Sequence, residues 1–524
     1  MHPCQWAESH PDKPAIIMAE SGSVTTYGML EQDSNKGAHL FRSLGLKAGD
    51  RIAIWCDNRP EYLTVSWAAE RAGLLFAPVS TKLTAAEAAY IIDDCDARAV
   101  IAAPSIGGEV QQFMEIRSQQ TNPVPVFSVG AELTDATPWQ QAIVAMPGTP
   151  IPDQSPGGPM LYSSGTTGRP KGIIHAARSG DITAEHRYEA WHREMYGMGD
   201  QCVFMSPAPL YHAAPLQFCM AQHRMGGTVL LLDRFDAETC LELIQRYRVT
   251  HTQMVPTMFI RLLRLPDDVK ARYDISSLKI IVHAGAPCPV PVKQALIDWL
   301  GPIVHEYYSG SEGFGRTVIS SQEWLAHPGS VGRAIHGVIH ICDEDGEELP
   351  AGEKGTIYFD SDIYYEYHKD PAKTQGARNP RHPEWRTYGD IGFVDVENYL
   401  YLTDRKAFMI ISGGVNIYPQ EAENLLSSHP EIADAAVFGV PDPEMGEQVM
   451  AVVQPVDWNR AGDDFAAEII DWCRQRLAHF KCPRRIAFER ELPRHATGKL
   501  QKTPLRDRYR DIVEAEIAQR IVSA

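Results

Sequence analysis

A run of small hydroxyl and glycine residues is the segment of the sequence best suited to bind an anion. It reads Tyr162-Ser163-Ser164-Gly165-Thr166-Thr167-Gly168-Arg169-Pro170-Lys171-Gly172. Small residues let backbone amides converge on phosphate oxygens, hydroxyl groups add donors, and the lysine adds positive charge. The common nucleotide loop needs G-x-x-x-x-G-K-[ST], whereas Lys171 lies between Pro170 and Gly172. The pattern predicts a phosphate loop that is not of the Walker type; taken alone, the segment is also compatible with a Ser/Thr/Gly linker.

Five further motifs follow the loop in separated segments. They are Tyr307-Tyr308-Ser309-Gly310-Ser311-Glu312-Gly313, Trp385-Arg386-Thr387-Tyr388-Gly389-Asp390, Tyr401-Leu402-Thr403-Asp404-Arg405-Lys406, Ser412-Gly413-Gly414-Val415-Asn416-Ile417-Tyr418-Pro419 and Pro493-Arg494-His495-Ala496-Thr497-Gly498-Lys499-Leu500. In this order, and over nearly the whole chain, the sequence resembles the adenylate-forming superfamily: acyl-CoA synthetases, adenylation domains and firefly-type luciferases. The last two motifs resemble those of fatty-acyl-CoA synthetases most.

The resemblance implies a reaction in two steps, with ATP, Mg²⁺ and coenzyme A. A carboxylic acid first becomes an acyl-adenylate with loss of pyrophosphate, and the sulfur of coenzyme A then displaces AMP. Lys499 matches the family's adenylation lysine, which supplies positive charge where two anions must meet. Glu312 matches the magnesium-associated glutamate, since Mg²⁺ prefers carboxylate oxygen. His212 resembles the gate between acid and ATP.

The resemblance also assigns the nucleotide contacts. Tyr308 offers a flat face for adenine, and Ser311 keeps the hydroxyl of the more usual threonine. Asp390 matches the ribose-binding aspartate, and Arg405 the arginine that helps to hold the nucleotide. The full predicted set for nucleotide and coenzyme A is Ser163, Ser164, Gly165, Thr166, Thr167, Gly168, Lys171, Gly285, Ala286, Tyr308, Ser311, Asp390, Arg405, Gly413 and Gly414.

For the second step, the resemblance implies that a small C-terminal domain rotates after adenylation. This rotation removes Lys499 and brings Gly413 and Gly414 beside the thiol path, where a side chain would obstruct the channel. The same Gly-Gly segment is also compatible with a simple hairpin turn. The hinge departs from the family pattern, because Ala407 stands where Lys or Asp is usual.

The segments expected around the acid indicate an apolar substrate. Neither Pro209–Pro215 nor His283–Pro287 contains Lys, Arg, Asp or Glu, so a second charge on the substrate would find no partner there. We expect a medium- or long-chain fatty acid, or a bulky sterol-side-chain or aryl acid such as an aryl propenoic acid. The alternatives are an adenylation enzyme that loads a carrier protein, a phenylpropanoid-CoA ligase, a luciferase-like oxygenase, and a non-catalytic nucleotide-binding protein.

The elements that must position these residues alternate between strands and helices. Short β-branched runs at Arg51–Cys56, Leu75–Val79 and Ala99–Ala102 enclose helical patterns at Glu61–Gly73 and Ala85–Cys95. This alternation predicts parallel strands joined by crossover helices, and it recurs between residues 228 and 300. Asp236 precedes an apolar helical pattern in the position of a helix cap.

Beyond about residue 330 the sequence pattern changes to Gly- and Asp-rich turns between short predicted strands, which indicates a β-rich subdomain. Past Asp404 the pattern favours a separate α+β domain, with a helix carrying Phe465, Ile469 and Trp472 on one face. The predicted fold class is therefore α/β: a large N-terminal domain (1–404) with parallel α/β layers and a β-rich subdomain, and a small mobile C-terminal domain (405–524).

The amino-acid composition limits the classes of partner and the cellular location that we expect for this protein. The chain has 524 residues and a net charge of −18, which disfavours nucleic acid and anionic membrane surfaces. Its ten cysteines form no CxxC motif, which favours a reducing cytoplasm. The uncharged run 201–223 is interrupted by prolines, so no transmembrane segment is predicted. Expected partners are a small carboxylic acid, ATP and coenzyme A, with a homodimer possible.

Overall fold

The structure is a computed structural model, and it describes residues 2–118, 123–163, 170–176, 180–185, 187–405, 408–412, 415–443, 445–494 and 500–523. Helices and strands are numbered along the chain within these ranges. The helices are α1 (Pro3–Ser9), α2 (Tyr27–Ser43), α3 (Pro60–Arg71), α4 (Ala85–Asp94), α5 (Gly108–Ser118), α6 (Trp139–Ile143), α7 (Arg187–Tyr196), α8 (Ala213–Arg224), α9 (Ala237–Tyr247), α10 (Pro256–Leu263), α11 (Asp267–Lys270), α12 (Val290–Leu300), α13 (Ser321–Ala326), α14 (Pro371–Gly376), α15 (Pro419–Leu426), α16 (Asp463–Arg474) and α17 (Lys502–Ser523).

Most strands are short, and several run antiparallel in the second half of the chain. They are β1 (Pro14–Met18), β2 (Val24–Thr26), β3 (Arg51–Trp55), β4 (Leu75–Pro78), β5 (Ala97–Ala102), β6 (Val126–Ser128), β7 (Thr137–Pro138), β8 (Gly158–Pro159), β9 (Tyr162–Ser163), β10 (Lys171–His175), β11 (Val203–Ser206), β12 (Thr228–Leu231), β13 (His251–Met254), β14 (Ile280–His283), β15 (Val304–Tyr308), β16 (Arg316–Ile319), β17 (Arg333–His336), β18 (Val338–Cys342), β19 (Gly355–Asp360), β20 (Tyr365–Tyr367), β21 (Trp385–Arg386), β22 (Asp390–Val394), β23 (Leu400–Arg405), β24 (Ile410–Ser412), β25 (Val415–Ile417), β26 (Ile432–Asp442), β27 (Gly446–Pro455) and β28 (Arg485–Phe488).

The chain divides into two compact units. The first comprises Met1–Ala284, Ile303–His305 and Ile363–Thr374, and the second comprises Gly285–Pro302, Glu306–Asp362 and Gln375–Ala524. The domain boundary that the sequence predicts between residues 404 and 405 stays a prediction.

The first unit is built on parallel sheets. One has the order β7-β6-β5-β3-β4-β8, and all its pairs are parallel. A second sheet contributes β14-β13-β11-β12-β1-β2 to this unit, and among these pairs only β1/β2 is antiparallel. A third sheet, β20-β10-β9, is antiparallel. Because α3 and α4 connect β3, β4 and β5, the predicted crossover architecture is confirmed.

Local chemistry explains why these helices begin where they do. Asp236 precedes α9, and its carboxylate accepts a hydrogen bond of 2.9 Å from the backbone N–H of Thr239. That bond lowers the pKa of Asp236, because it stabilises the charged form. Helix α4 begins with a capping box in which Thr84 and Glu87 satisfy each other's backbone amides. The predicted cap at Asp236 is therefore present.

The second unit is mainly antiparallel and contains the predicted β-rich part. Strands β18, β19, β22 and β23 lie side by side, with β21 also paired to β19. Residues Glu306–Tyr308 of β15 pair antiparallel with β16, which pairs with β17. A further sheet runs β25-β24-β27-β26, with β28 parallel to β27. Helix α16 buries Phe465 and Ile469 in the core of this sheet, as its periodicity predicts.

Among the helices in the described ranges, none has the length and apolar character needed to cross a bilayer.

Candidate active site

The two arms of the phosphate loop form an antiparallel pair in the first unit. Lys171 of β10 lies opposite Ser163 of β9, and Gly172 lies opposite Tyr162. The hydroxyl of Tyr162 donates to Asp94 Oδ2 at 2.7 Å, and Tyr90 donates to the carbonyl of Pro170 at 3.2 Å. Ser164, Gly165, Thr166, Thr167 and Gly168 lie outside the described residues, so their phosphate contacts stay a prediction. The described arms hold both ends of the loop together.

Lys171 has an acidic partner that the sequence did not reveal. Its Nζ lies 3.2 Å from Asp370 Oδ2. The hydrogen bond to Asp370 raises the pKa of Lys171, and the pKa of Asp370 is lowered by the backbone N–H of Lys373 and then by Lys171. Asp370 reaches this place because β20, just before it, pairs antiparallel with β10. The carboxylate therefore pairs with the cation at one end of the predicted phosphate loop.

Tyr308 and Asp390 lie together in the second unit. Tyr308 ends β15, Asp390 begins β22, and the Tyr308 hydroxyl donates to Asp390 Oδ2 at 2.7 Å. Asp390 is 8% exposed. Across the β22/β23 ladder, Asp390 also lies opposite Arg405. The fold therefore gathers three of the predicted nucleotide residues at one end of these strands.

Glu312 lies on the loop that follows Tyr308. This loop, residues 309–315, is closed by Ser309, whose hydroxyl donates to the carbonyl of Gly315 at 2.7 Å. Glu312 is 8% exposed, and its Oε2 lies 2.6 Å from the place where a side chain at Gly310 would begin. Ser311, next to it, is half-buried. The predicted magnesium-associated glutamate thus shares the second unit with Tyr308 and Asp390.

The donor set fits a magnesium ion that arrives with phosphates. Within the described residues, no group of three or more His, Cys, Asp or Glu side chains could enclose a metal by itself. Mg²⁺ usually keeps several waters and is held by one or two carboxylates plus substrate phosphates. The Glu312 carboxylate could supply one such ligand, and a bound ion would stabilise negative charge on the triphosphate.

Three other predicted residues lie on turns. His212 directly precedes α8 in the first unit, where its ring meets the Tyr211 ring edge-on with centroids 4.5 Å apart. Gly285 has a φ of 84°, which is accessible to glycine at little cost, and a side chain there would meet nothing within 4 Å. Ala286 beside it is half-buried. The roles predicted for these residues stay predictions.

The residues predicted for the moving domain lie largely outside the described ranges. These are Lys499, Gly413, Gly414 and the hinge residue Ala407. Their flanks are described: Ser412 of β24 pairs with Val415 of β25, and Arg494 forms a β-bridge with Leu500. The segments that carry Gly413 and Lys499 are therefore each closed by a backbone pair at their two ends.

Comparison with known proteins identifies two matching family models and several relatives. The family model described as AMP-binding enzyme matches residues 4–364, and the AMP-binding enzyme C-terminal domain matches residues 421–499. The long-chain-fatty-acid–CoA ligase FadD13 of Mycobacterium tuberculosis (strain ATCC 25618 / H37Rv) is 31% identical over 520 residues, covering 96% of this chain and 97% of the relative. A feruloyl-CoA synthase from an Amycolatopsis species is 31% identical over 498 residues, covering 94% and 96%.

A solved structure shows the same fold. It is the amide bond synthetase McbA from Marinactinospora thermotolerans, with a TM-score of 0.80 and 26% identity, covering 96% of this chain and 99% of that one. The predicted α/β class with N- and C-terminal parts is thereby confirmed. The chain belongs to the AMP-binding enzyme family, within the acyl- and aryl-CoA ligases of the adenylate-forming superfamily.

Proposed function

We propose that this enzyme is a magnesium- and ATP-dependent acyl-CoA synthetase whose substrate is an apolar monocarboxylic acid, either a medium- or long-chain fatty acid or a bulky sterol-side-chain or aryl acid. The observation that carries the proposal is the arrangement of Tyr308, Asp390 and Arg405 in the second unit, which also holds Glu312. Together with the family, this arrangement supports a nucleotide site with a carboxylate available for a phosphate-bound cation.

Each residue of the site has a distinct part in binding the nucleotide. The Asp390 carboxylate accepts hydrogen bonds from the ribose hydroxyls, and Tyr308 orients that carboxylate through its own hydroxyl while its ring offers a face to adenine. Lys171 exchanges Asp370 for the phosphate oxygens when the nucleotide enters. Each interaction fixes the position of the α-phosphorus before the acid attacks it.

Adenylation requires positive charge near the reacting carboxylate and phosphate. Thioester formation then requires an open path for the sulfur of coenzyme A. Lys499 is proposed to stabilise the charge that develops as the carboxylate oxygen bonds to the α-phosphorus and pyrophosphate leaves. The thiol sulfur of coenzyme A then bonds to the acyl carbon, AMP leaves, and Gly413 and Gly414 leave room for the thiol arm. His212 is proposed to separate the acid from the nucleotide until both are bound.

An apolar substrate is supported by the uncharged segments Pro209–Pro215 and His283–Pro287. The relatives named for a long-chain fatty acid and for a feruloyl group are consistent with both an alkyl and an aryl acid. A cytoplasmic location is proposed from the ten cysteines, all of which are free thiols in the structure. A homodimer remains a prediction.

The test is acid-dependent release of pyrophosphate from ATP. The panel should contain octanoate, palmitate, ferulate and a sterol-side-chain acid, with succinate and malonate as charged controls, and each product should be identified by mass spectrometry after coenzyme A is added. We expect release with apolar monoacids and accumulation of their CoA thioesters. Preference for the dicarboxylates would contradict the proposed substrate class, and ATP turnover without any acid would contradict the proposed reaction.

The acceptor needs its own measurement, because a structure of the same fold is named an amide bond synthetase. Preformed acyl-adenylate should be offered coenzyme A and a primary amine at equal concentration. We expect the thioester to form in excess. Predominant amide formation would show that nitrogen, not sulfur, is the acceptor, while leaving the adenylation step intact.

A further inference from the structure

Tyr388 is bound to the Glu312 loop through its hydroxyl. The Tyr388 hydroxyl donates to the carbonyl oxygen of Gly315 at 2.9 Å, and it accepts from the backbone N–H of the same residue at 2.9 Å. Ser309 Oγ lies 3.5 Å from the Tyr388 oxygen and donates to the same Gly315 carbonyl. The Tyr388 hydroxyl therefore forms hydrogen bonds with both the backbone N–H and the carbonyl of Gly315, at the end of the loop that carries Ser311 and Glu312.

The ring of Tyr388 fills the inside of that loop. It stacks on Phe314 with centroids 4.1 Å apart and meets Tyr308 edge-on at 5.8 Å. A side chain at Gly310 would begin 2.3 Å from two carbon atoms of the Tyr388 ring. Real carbon atoms do not approach so closely, so the ring can occupy this place only because residue 310 is glycine.

Tyr388 also adjoins the ribose side of the site in sequence. Only Gly389, with a φ of 82°, separates it from Asp390. The left-handed backbone at Gly389 lets the chain turn between the Tyr388 side chain and the start of β22. Tyr388 thus connects two parts of the proposed nucleotide site: the loop with Glu312, and the strand that begins with Asp390.

We propose that Tyr388 is a positioning residue that fixes the Glu312 carboxylate relative to Asp390. The triphosphate and the ribose of one nucleotide can then be bound at the same time in the correct relative position. This inference rests on the proposed function of Glu312 and Asp390 in nucleotide binding. Desolvation raises the pKa of the Tyr388 hydroxyl, which therefore stays a donor over the working pH range. A displacement of about 1 Å in such a site can cost about a hundredfold in rate.

The first test removes the hydroxyl and keeps the ring. In Tyr388→Phe the stacking on Phe314 remains, but the Gly315 N–H loses its hydrogen bond to the Tyr388 hydroxyl, and the Gly315 carbonyl keeps only the bond from Ser309. We expect kcat for acid-dependent pyrophosphate release to fall about tenfold, the Mg²⁺ concentration for half-maximal rate to rise severalfold, and KM for the acid to stay within about twofold. The matched control is Tyr401→Phe, which removes a hydroxyl 3.3 Å from Asp395 Oδ2 in the same unit.

The second test uses the close approach between the ring and Gly310. Gly310→Ala alone should lower the adenylation rate at least about tenfold, because the new methyl group must displace the Tyr388 ring. In a Tyr388→Thr background the ring is absent and only the close approach to Glu312 Oε2 remains, so the added Gly310→Ala change should cost clearly less than it does in the wild-type background. Such non-additivity is expected of residues in direct contact. Additive losses in the double variant would contradict the proposed contact.

A readout that needs no catalysis separates this inference from the proposed function. ATP affinity of the full chain, measured by calorimetry with and without Mg²⁺, should fall in Tyr388→Phe mainly when Mg²⁺ is present, while the thermal midpoint stays near that of Tyr401→Phe. Equal affinity and equal Mg²⁺ dependence in wild type and Tyr388→Phe would overturn the positioning role. Wild-type enzyme that binds ATP but releases no pyrophosphate with any acid would instead refute the proposed function, and the affinity comparison would still decide on Tyr388.

Discussion

The Tyr308 hydroxyl donates a hydrogen bond of 2.7 Å to Oδ2 of Asp390, and this bond joins the end of β15 to the start of β22. Asp390 is 8% exposed, so its carboxylate depends on protein partners for its orientation. An oriented carboxylate can accept from two ribose hydroxyls at once, whereas a rotated one can accept from only one. The pair is therefore a determinant of nucleotide affinity in the proposed reaction.

Tyr308→Phe should weaken ATP binding about tenfold, because a hydrogen bond to a charged group contributes about 1.5–3 kcal/mol. Calorimetry at fixed Mg²⁺ measures this change directly. Tyr401→Phe serves as the control, since it breaks a contact between Tyr401 of β23 and Asp395, just past β22, at the opposite end of these strands from the Asp390/Arg405 pair. Equal affinities for the Tyr308 and Tyr401 variants would mean that the Tyr308 bond does not orient Asp390 for the ribose.

Adenylation and thioester formation should separate in Lys499→Ala. Lys499 is proposed to act only while two anions meet, so pyrophosphate release should fall about 10²–10³-fold. Conversion of supplied acyl-adenylate to the CoA thioester should stay within about threefold of wild type. Quenched-flow measurement of each half-reaction distinguishes the two rates.

The control for Lys499 is Lys502→Ala. Lys502 pairs with Glu423 at 2.8 Å and is 9% exposed, so its loss should lower both half-reactions alike through stability. If Lys499→Ala also slowed both half-reactions by the same factor, the lysine would not be specific to adenylation.

The sequence predicts the elements that depend on local patterns. Strand β3, helix α3 and strand β4 follow from alternating β-branched and helical runs, and the start of α9 follows from the Asp236 cap. Helix α2 has no such clear pattern, because its inward face includes the polar residues Ser34 and Asn35. Buried polar groups interrupt the apolar periodicity, although their hydrogen bonds make burial possible.

The candidate site could be predicted only in part from the sequence, because some of its contacts depend on how distant strands pair. Motifs identify Glu312, Tyr308 and Asp390 because each belongs to a recognisable segment. Partners such as Asp370 for Lys171 come from strand pairing between distant parts of the chain, here β10 with β20. A single sequence contains no signal for that register, since either strand alone is compatible with several neighbours.

A buried charge network in the first unit should be important for stability. Arg224 forms an ion pair with Glu70, and its Nη1 lies 3.5 Å from Glu189 Oε1. Glu70 is 1% exposed and Glu189 is 0% exposed. Removing one partner of a buried ion pair typically costs about 3–5 kcal/mol, because a carboxylate stays buried without its cation. Arg224→Met should therefore shift the midpoint of urea unfolding strongly downward.

The matched surface change is Arg248→Met. Arg248 pairs with Asp274 at 2.9 Å, but the side chains are 60% and 55% exposed. Exposed pairs contribute about 0–1 kcal/mol, so the urea midpoint should hardly move. Similar midpoints for the Arg224 and Arg248 variants would show that the buried network does not stabilise the fold.

The buried His223 should make stability depend on pH. Trp67 Nε1 donates to His223 Nδ1 at 3.1 Å, and His223 Nε2 lies 3.0 Å from the carbonyl oxygen of Ala15. The acceptor role of Nδ1 requires the neutral ring with its proton on Nε2. Burial lowers the pKa of His223 from 6.5 to about 4, because the charged form is poorly solvated there.

The direction of this pH dependence follows from how the folded and the unfolded chain bind a proton at His223. Below pH 6.5 the unfolded chain takes up a proton on His223, whereas the folded chain does so only near its pKa of about 4. The contribution of His223 to stability is therefore complete above pH 6.5, decreases as the pH falls, and levels off below about pH 4, with a total loss of roughly 3 kcal/mol.

In His223→Gln, which carries no titrating ring, the free energy of urea unfolding should decrease less steeply between pH 7 and 4.5 than in wild type. His10→Gln, at the exposed C-terminal end of α1, should retain the wild-type slope. The same steep slope in His223→Gln would mean that other groups cause the acid sensitivity.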